Sequence, residues 1–237
     1  MVKANRTMVS TTRTITASLA SVVASRPRGR ARPLGREATG SGSKGSLTMH
    51  YIPRLLIGIT GSINAVSMVD YLHALASVAN EIRCILTKHA QTIVNPDILR
   101  LYTEVPPYTS LWDSHGISGT PHVYLADWAD VMVVLPATAN CIGKAAAGIA
   151  DDLLSTTLIA YRESVLFAPA MNRRMWENPV IKRNVATLQD LGHIVLDPQT
   201  AISVTQSSSG AVGPNMKELV RAAKYLSMRS LRRERLG

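Results

Sequence analysis

From Arg54 onward, apolar runs of strand length alternate with stretches whose apolar residues recur at helical spacing. Leu55–Ile59 reads as a short buried strand. Ser62–Val78 follows as a helix, with Val66, Val69, Leu72 and Leu75 on its repeat. Ile82–Leu86 reads as a second strand. Val131–Leu135 is apolar at every position, the pattern of a central strand covered on both faces. Ala139–Ala160 reads as one long helix or two consecutive ones, and Val165–Phe167 as another strand. Pro179–Leu191 is a predicted helix, His193–Leu196 a final strand and Met216–Arg229 a closing helix. Strands alternating with helices predict a single α/β domain: a parallel sheet with helices on both faces, joined by right-handed crossovers. Residues 197–215 are rich in Ser, Gly, Thr and Gln and have no period, which is long for an ordinary connection and predicts a mobile lid.

Composition changes this picture mainly at the N-terminus. The 237 residues suffice for one sizeable core. The net charge of +10 is concentrated in residues 1–48, which hold nine Lys/Arg and one acid, Glu37. Residues 49–237 hold 17 basic and 15 acidic residues, so the folded part is nearly neutral and gives no reason to expect nucleic acid as a partner. Residues 1–48 are expected to be a disordered basic tail, or the product of a start codon assigned too early, with Met49 as the natural start. A transit peptide is an alternative, since the stretch is rich in Arg and Ser and poor in acids. A segment that binds leader peptide or nucleic acid is a third reading. Residues 49–237 form the expected functional domain. The two cysteines, Cys84 and Cys141, form no CxxC-type pair, which speaks against a disulfide framework and a zinc site and suits a cytoplasmic protein. No apolar run approaches the ~20 residues of a membrane-spanning helix.

Ligands of parallel sheets bind beyond the carboxyl ends of the strands. Four strand-to-helix loops carry unusual residues there. Gly58-Ile-Thr-Gly-Ser-Ile63 can present backbone N–H groups to a phosphate, although Ser62 alone would serve as an ordinary helix cap. Thr87-Lys88-His89 follows the second strand, where Thr87 is either a ligand or a cap. Pro136-Ala-Thr-Ala-Asn-Cys141 offers small residues against which a flat ring can lie, with Thr138 and Asn140 as hydrogen-bonding groups. Pro169-Ala-Met-Asn-Arg-Arg-Met-Trp176 places an Asn between methionines at a strand end, a pattern better explained by a site than by packing. His122 sits at a predicted helix start, where a lone histidine is more often a surface or capping residue than a catalyst. His73, His89, His115 and His193 are assigned to that plainer class.

These motifs resemble the homo-oligomeric flavin-containing Cys decarboxylases, a family that includes lantibiotic decarboxylases and phosphopantothenoylcysteine decarboxylases. The resemblance runs from about Arg54 to Met228. It rests on Pro136–Asn140, which starts fourteen residues after His122, on Gly148-Ile-Ala-Asp-Asp-Leu-Leu154 and on Pro169–Trp176. It implies a Rossmann-like or flavodoxin-like fold, FMN as cofactor and no metal. By this resemblance Gly61, Ser62 and Ile63 hold the FMN phosphate with help from Thr87. Thr138, Ala139, Asn140 and Cys141 contact the flavin, with Ala170 close by. His122 and Asn172 are the implied catalytic residues, and Asn140, Met171, Asn172 and Met175 the implied substrate contacts. A homo-trimer or homo-dodecamer is implied, with the flavin at a subunit interface, so that His122 serves a neighbouring chain.

The implied chemistry is oxidation of the thiol-bearing carbon of a cysteine to a thioaldehyde, an electron sink that permits loss of CO2 and leaves an enethiol. The coenzyme A branch then reduces the enethiol with a cysteine in a Gly-rich segment after the last strand. Here the corresponding Ala201–Pro214 has no cysteine, so the expected product is the enethiol of a precursor peptide's C-terminal cysteine, en route to an aminovinyl-cysteine ring. Leu55–Asn64 also resembles the lantibiotic branch, whereas Pro136–Asn140 and Gly148–Leu154 read closer to the coenzyme A branch. Cys141 stands where the family usually has Thr, and the 197–215 stretch has no basic residue to clamp a carboxylate. The alternatives are a phosphopantothenoylcysteine decarboxylase and, in a different class, a non-catalytic regulatory flavoprotein.

Overall fold

The uninterrupted apolar strands require cover on both faces, and a computed structural model of the chain shows how they obtain it. It describes residues 51–113, 115, 119–201 and 211–234; the predicted tail 1–48 lies outside them. The strands are β1 (Ile52–Ile59), β2 (Ala79–Leu86), β3 (Val131–Ala137), β4 (Leu166–Pro169), β5 (Met171–Asn172), β6 (Ile194–Val195), β7 (Gln199–Ala201) and β8 (Ala211–Gly213). Five of them form a sheet in the order β2-β1-β3-β4-β6 with every pairing parallel. The helices are α1 (Met68–Ala76), α2 (Pro96–Leu99), α3 (Pro121–Trp128), α4 (Ala139–Ala147), α5 (Leu153–Ala160), α6 (Arg173–Trp176), α7 (Pro179–Asp190) and α8 (Met216–Glu234).

The period-2 alternation of the strands sends successive side chains into two separate cores. Leu55, Ile57, Val131 and Val133 join Leu72 and Leu75 of α1 and Leu219 and Ala223 of α8. Leu56, Met132 and Val134 join Leu125 of α3, Ile142 of α4, Leu153 of α5 and Val185 of α7. The α/β sandwich expected from the sequence is therefore present.

Three elements differ from the expectation, and of the two readings of Ala139–Ala160 the second is selected. The predicted helix Ser62–Val78 is a 3-10 turn, Ile63–Ser67, followed by α1; the break falls at Ser67, whose backbone is non-helical. Ala139–Ala160 resolves into α4 and α5. Gly148 stops α4 in the left-handed conformation (φ 68°), and Asp152 with Ser155 starts α5 through a capping box. The final helix runs past Arg229 to Glu234. The 197–215 stretch contains β7 and β8, which with β5 form a separate antiparallel sheet ordered β5-β8-β7. Residues 202–210, the centre of the expected lid, lie outside the described residues.

Two links tie β1 to β3 at opposite ends. At the amino ends, Arg54 Nε donates to Asp130 Oδ2 at 3.0 Å and its Nη2 to Oδ1 at 2.8 Å, a fork that holds the geometry more than it adds stability in a half-exposed setting. At the carboxyl ends, the buried Thr60 Oγ1 donates to the Pro136 carbonyl and accepts from the Thr138 N–H at 3.1 Å. Replacing Thr60 by Val keeps its shape and leaves both backbone groups without that partner. The expected cost is about 1–3 kcal/mol in urea unfolding, with Thr60→Ser much milder; equal midpoints for Thr60→Val and the parent would disprove the link.

Candidate functional site

Because the strands are parallel, the loops after β1, β2 and β3 meet at one edge of the sheet, and there they enclose a cavity of about 510 Å3, a size typical of small-molecule sites. The loops after β1 and β2 touch at Gly61. A Cβ on Gly61 would stand 2.4 Å from His89 Cβ and 3.1 Å from the His89 carbonyl carbon, so only glycine permits this approach. Thr87 is tied to β1, with its N–H 3.0 Å and its Oγ1 3.3 Å from the Ile59 carbonyl oxygen. It is not the residue that caps the next turn, Ala90–Thr92, which starts from His89. After β3, Thr138 caps α4 by accepting the Cys141 N–H at 3.3 Å.

Of the predicted site residues, Gly61, Thr87, Thr138, Ala139, Asn140, Cys141 and Met175 line this cavity. The others do not. Ser62 is buried; its Oγ donates to the Ala170 carbonyl at 3.1 Å and accepts the Asn64 N–H at 3.4 Å, bracing the first loop against the fourth. Ala170 is buried in that brace, and Ile63 is exposed outside the cavity. Met171 is buried in β5, paired with Val212 of β8. The Asn172 side chain accepts the Arg174 N–H at 2.8 Å and starts α6, which carries Met175 to the cavity. His122, in the first turn of α3, is not among the residues that line the cavity. Its Nδ1 is buried with no hydrogen-bond partner among the described residues.

A charged group at the cavity was missed in the sequence. Lys144 Nζ lies 2.7 Å from Asp151 Oδ1 and 3.1 Å from Asp152 Oδ2, and the Asp152 side chain accepts the Ser155 N–H at 2.8 Å. The available signal was Asp152-Leu-Leu-Ser155, a capping pattern that begins within Gly148–Leu154 and ends one residue past it. His89, assigned to the plainer class, also lines the cavity, as do Lys88 and Leu154. Burial pushes the Cys141 thiol up to about 12, with Asp152 adding and Lys144 opposing, so the thiol stays protonated at neutral pH. Burial raises the thiol of Cys84, inside the sheet, to about 12 as well.

Hydroxyls, an amide side chain, small residues and lysine charge around one open cavity suit a ligand with a flat polar ring and an anionic end. Among the described residues no group of three or more acidic, histidine or cysteine side chains is placed to hold a metal, and no helix is long and apolar enough to cross a membrane.

Residues 44–225 match the family model described as Flavoprotein. The chain belongs to the flavoprotein family. Mersacidin decarboxylase of Bacillus sp. (strain HIL-Y85/54728) is 35% identical to this flavoprotein over 164 residues, 68% of this chain and 81% of that protein. The coenzyme A biosynthesis bifunctional protein CoaBC of Mycobacterium bovis (strain ATCC BAA-935 / AF2122/97) is 37% identical over 177 residues, 74% of this chain but only 42% of the bifunctional protein. The crystal structure of the FMN-dependent cysteine decarboxylase SpaF superposes with a TM-score of 0.66 at 35% identity, covering 74% of this chain and 97% of that one.

The two raised thiols make the flavoprotein's stability pH-dependent. An unfolded cysteine loses its proton near 9.0 whereas the folded ones keep theirs to about 12, so the unfolded state binds fewer protons as pH rises and stability falls from pH 9.0 towards 12. At pH 10 the loss is about 1.4 kcal/mol per thiol. Urea midpoints at pH 7 and 10 measure it, and Cys141→Ser should show a smaller drop than the parent; an unchanged drop would contradict the assignment.

Proposed function

We propose that this flavoprotein binds FMN in the cavity and oxidatively decarboxylates the C-terminal cysteine of a ribosomal precursor peptide to an enethiol, en route to an aminovinyl-cysteine ring. The observation that carries this reading is the absence of a cysteine from Ala201–Pro214, where a reducing thiol would stand in an enzyme that carries the enethiol on to a thiol. Cys141, the one thiol lining the cavity, does not take its place: the reactive form is the thiolate, and burial keeps this group protonated. The similarity to mersacidin decarboxylase and to SpaF supports the same reading.

Gly61 and Thr87 hold the phosphate end, with Ser62 and Ile63 shaping their loop. Thr138, Ala139, Asn140 and Cys141 line the ring, and Ala170 braces the wall. FMN held there would supply the two-electron oxidant that the thiol-bearing carbon requires. His122 takes the thiol proton as the C–S bond becomes C=S. The C–CO2 bond then breaks, its electrons form the C=C bond as the C=S π pair moves onto sulfur, and protonation by the same imidazole gives the enethiol. Asn172 holds the carboxylate or the adjacent amide without adding charge, with Asn140 and Met175 against the peptide and Met171, buried in β5, supporting Asn172. That His122 does not line the cavity, and that its buried Nδ1 has no partner among the described residues, supports a role for it at the cavity of a neighbouring chain in a homo-trimer or homo-dodecamer.

A phosphopantothenoylcysteine decarboxylase is the second reading, favoured by the similarity to CoaBC. Mass spectrometry separates the two. A peptide ending in cysteine should lose about 46 Da (CO2 plus two hydrogens), and His122→Asn should abolish the loss while the flavin stays bound. Loss of about 44 Da from phosphopantothenoylcysteine, with a panel of such peptides untouched, selects the second reading. Turnover of neither would leave a non-catalytic flavoprotein.

A further inference from the structure

Two lysines line the cavity, Lys88 and Lys144, and their surroundings differ. Lys144 is held by two carboxylates at 2.7 and 3.1 Å, so that group carries a net negative charge and offers nothing to an anion. Lys88 is exposed and takes part in no ion pair among the described residues. Its backbone is nonetheless held firmly. Thr87 before it is bonded twice to the Ile59 carbonyl, and His89 after it packs against Gly61 too closely to admit a Cβ. The Lys88 side chain therefore starts where the first and second loops meet, and its flexible stem carries three donors on a full positive charge. A phosphate monoester at that junction brings a charge of about −1.5 to −2 at neutral pH. The aspartates across the cavity oppose it, and Lys88 is the cavity's uncommitted lysine.

We infer that Lys88 neutralises the phosphate of the bound flavin nucleotide and thereby makes this site select FMN over the uncharged riboflavin. The inference rests on the reading of the cavity as an FMN site. Thr87 and the loop amides fix where the phosphate sits, and Lys88 supplies the charge that they lack. A charge-assisted contact at the mouth of a cavity retains most of its strength only when salt is low, so the preference weakens as ionic strength rises.

The test is titration of the full-length apoprotein with FMN and with riboflavin, followed by quenching of flavin fluorescence, at low and high salt. Lys88→Met should raise the FMN dissociation constant about tenfold at low salt and leave that of riboflavin within about twofold. The variant should also lose most of the salt dependence of FMN binding, and Lys88→Arg should retain the parent's preference. Riboflavin binding by the variant verifies that the site is still folded. Equal weakening of both flavins, or an FMN affinity that Lys88→Met does not change, would overturn the role of Lys88 and leave the FMN site standing. A parent protein that binds neither flavin would overturn the FMN reading itself.

Discussion

The hydroxyl of Thr60 holds the active edge of the sheet together. It lies buried where β1 and β3 end, donating to the Pro136 carbonyl within β3 and accepting from the Thr138 N–H just beyond it. A buried hydroxyl with both functions satisfied is rigid, because any displacement leaves polar backbone unpaired in an apolar setting. The start of α4, and with it Ala139, Asn140 and Cys141, is registered against the loop that carries Gly61. Ser62 does the same between the first and fourth loops through the Ala170 carbonyl. The cavity is thus built on cross-links between neighbouring strand ends, and the residues that make them need not touch a ligand.

This division explains what was legible in the sequence. Val131–Leu135 and Leu55–Ile59 announced themselves as strands because burial on both faces demands apolar residues at every position. The Pro136–Cys141 loop was readable because it follows such a strand and combines small residues with two hydrogen-bonding side chains, Thr138 and Asn140. Ser62 and Ala170 were harder to place. A hydroxyl beside glycine looks the same in one dimension whether it faces a phosphate or a distant carbonyl, and their contact spans 108 positions. The break between Ile63–Ser67 and α1 was hidden for a similar reason, since both segments keep apolar residues at nearly helical spacing. β7 and β8 escaped because three-residue strands have too few positions to show a period.

Electrostatics add a second layer to the cavity. The Lys144, Asp151 and Asp152 group pins the turn between α4 and α5 to the body of α4, and Gly148 supplies the backbone reversal that such a short connection needs. Burial, helped by Asp152, keeps Cys141 protonated, so a thiol that borders the cavity behaves as a small apolar residue.

The small sheet β5-β8-β7 is built apart from the rest. Met171 and Asn172 follow directly from a strand of the main sheet, yet their ladder partners, Val212 and Ala211, come from forty residues further along the chain. Those partners are joined to no parallel strand, and the loops that line the cavity do not involve them. Such an arrangement uncouples two kinds of variation over evolutionary time. Substitution at Val212 or Ala211 alters the ladder beside Asn172, while the edge that carries Gly61, Thr87 and Thr138 is held by its own contacts.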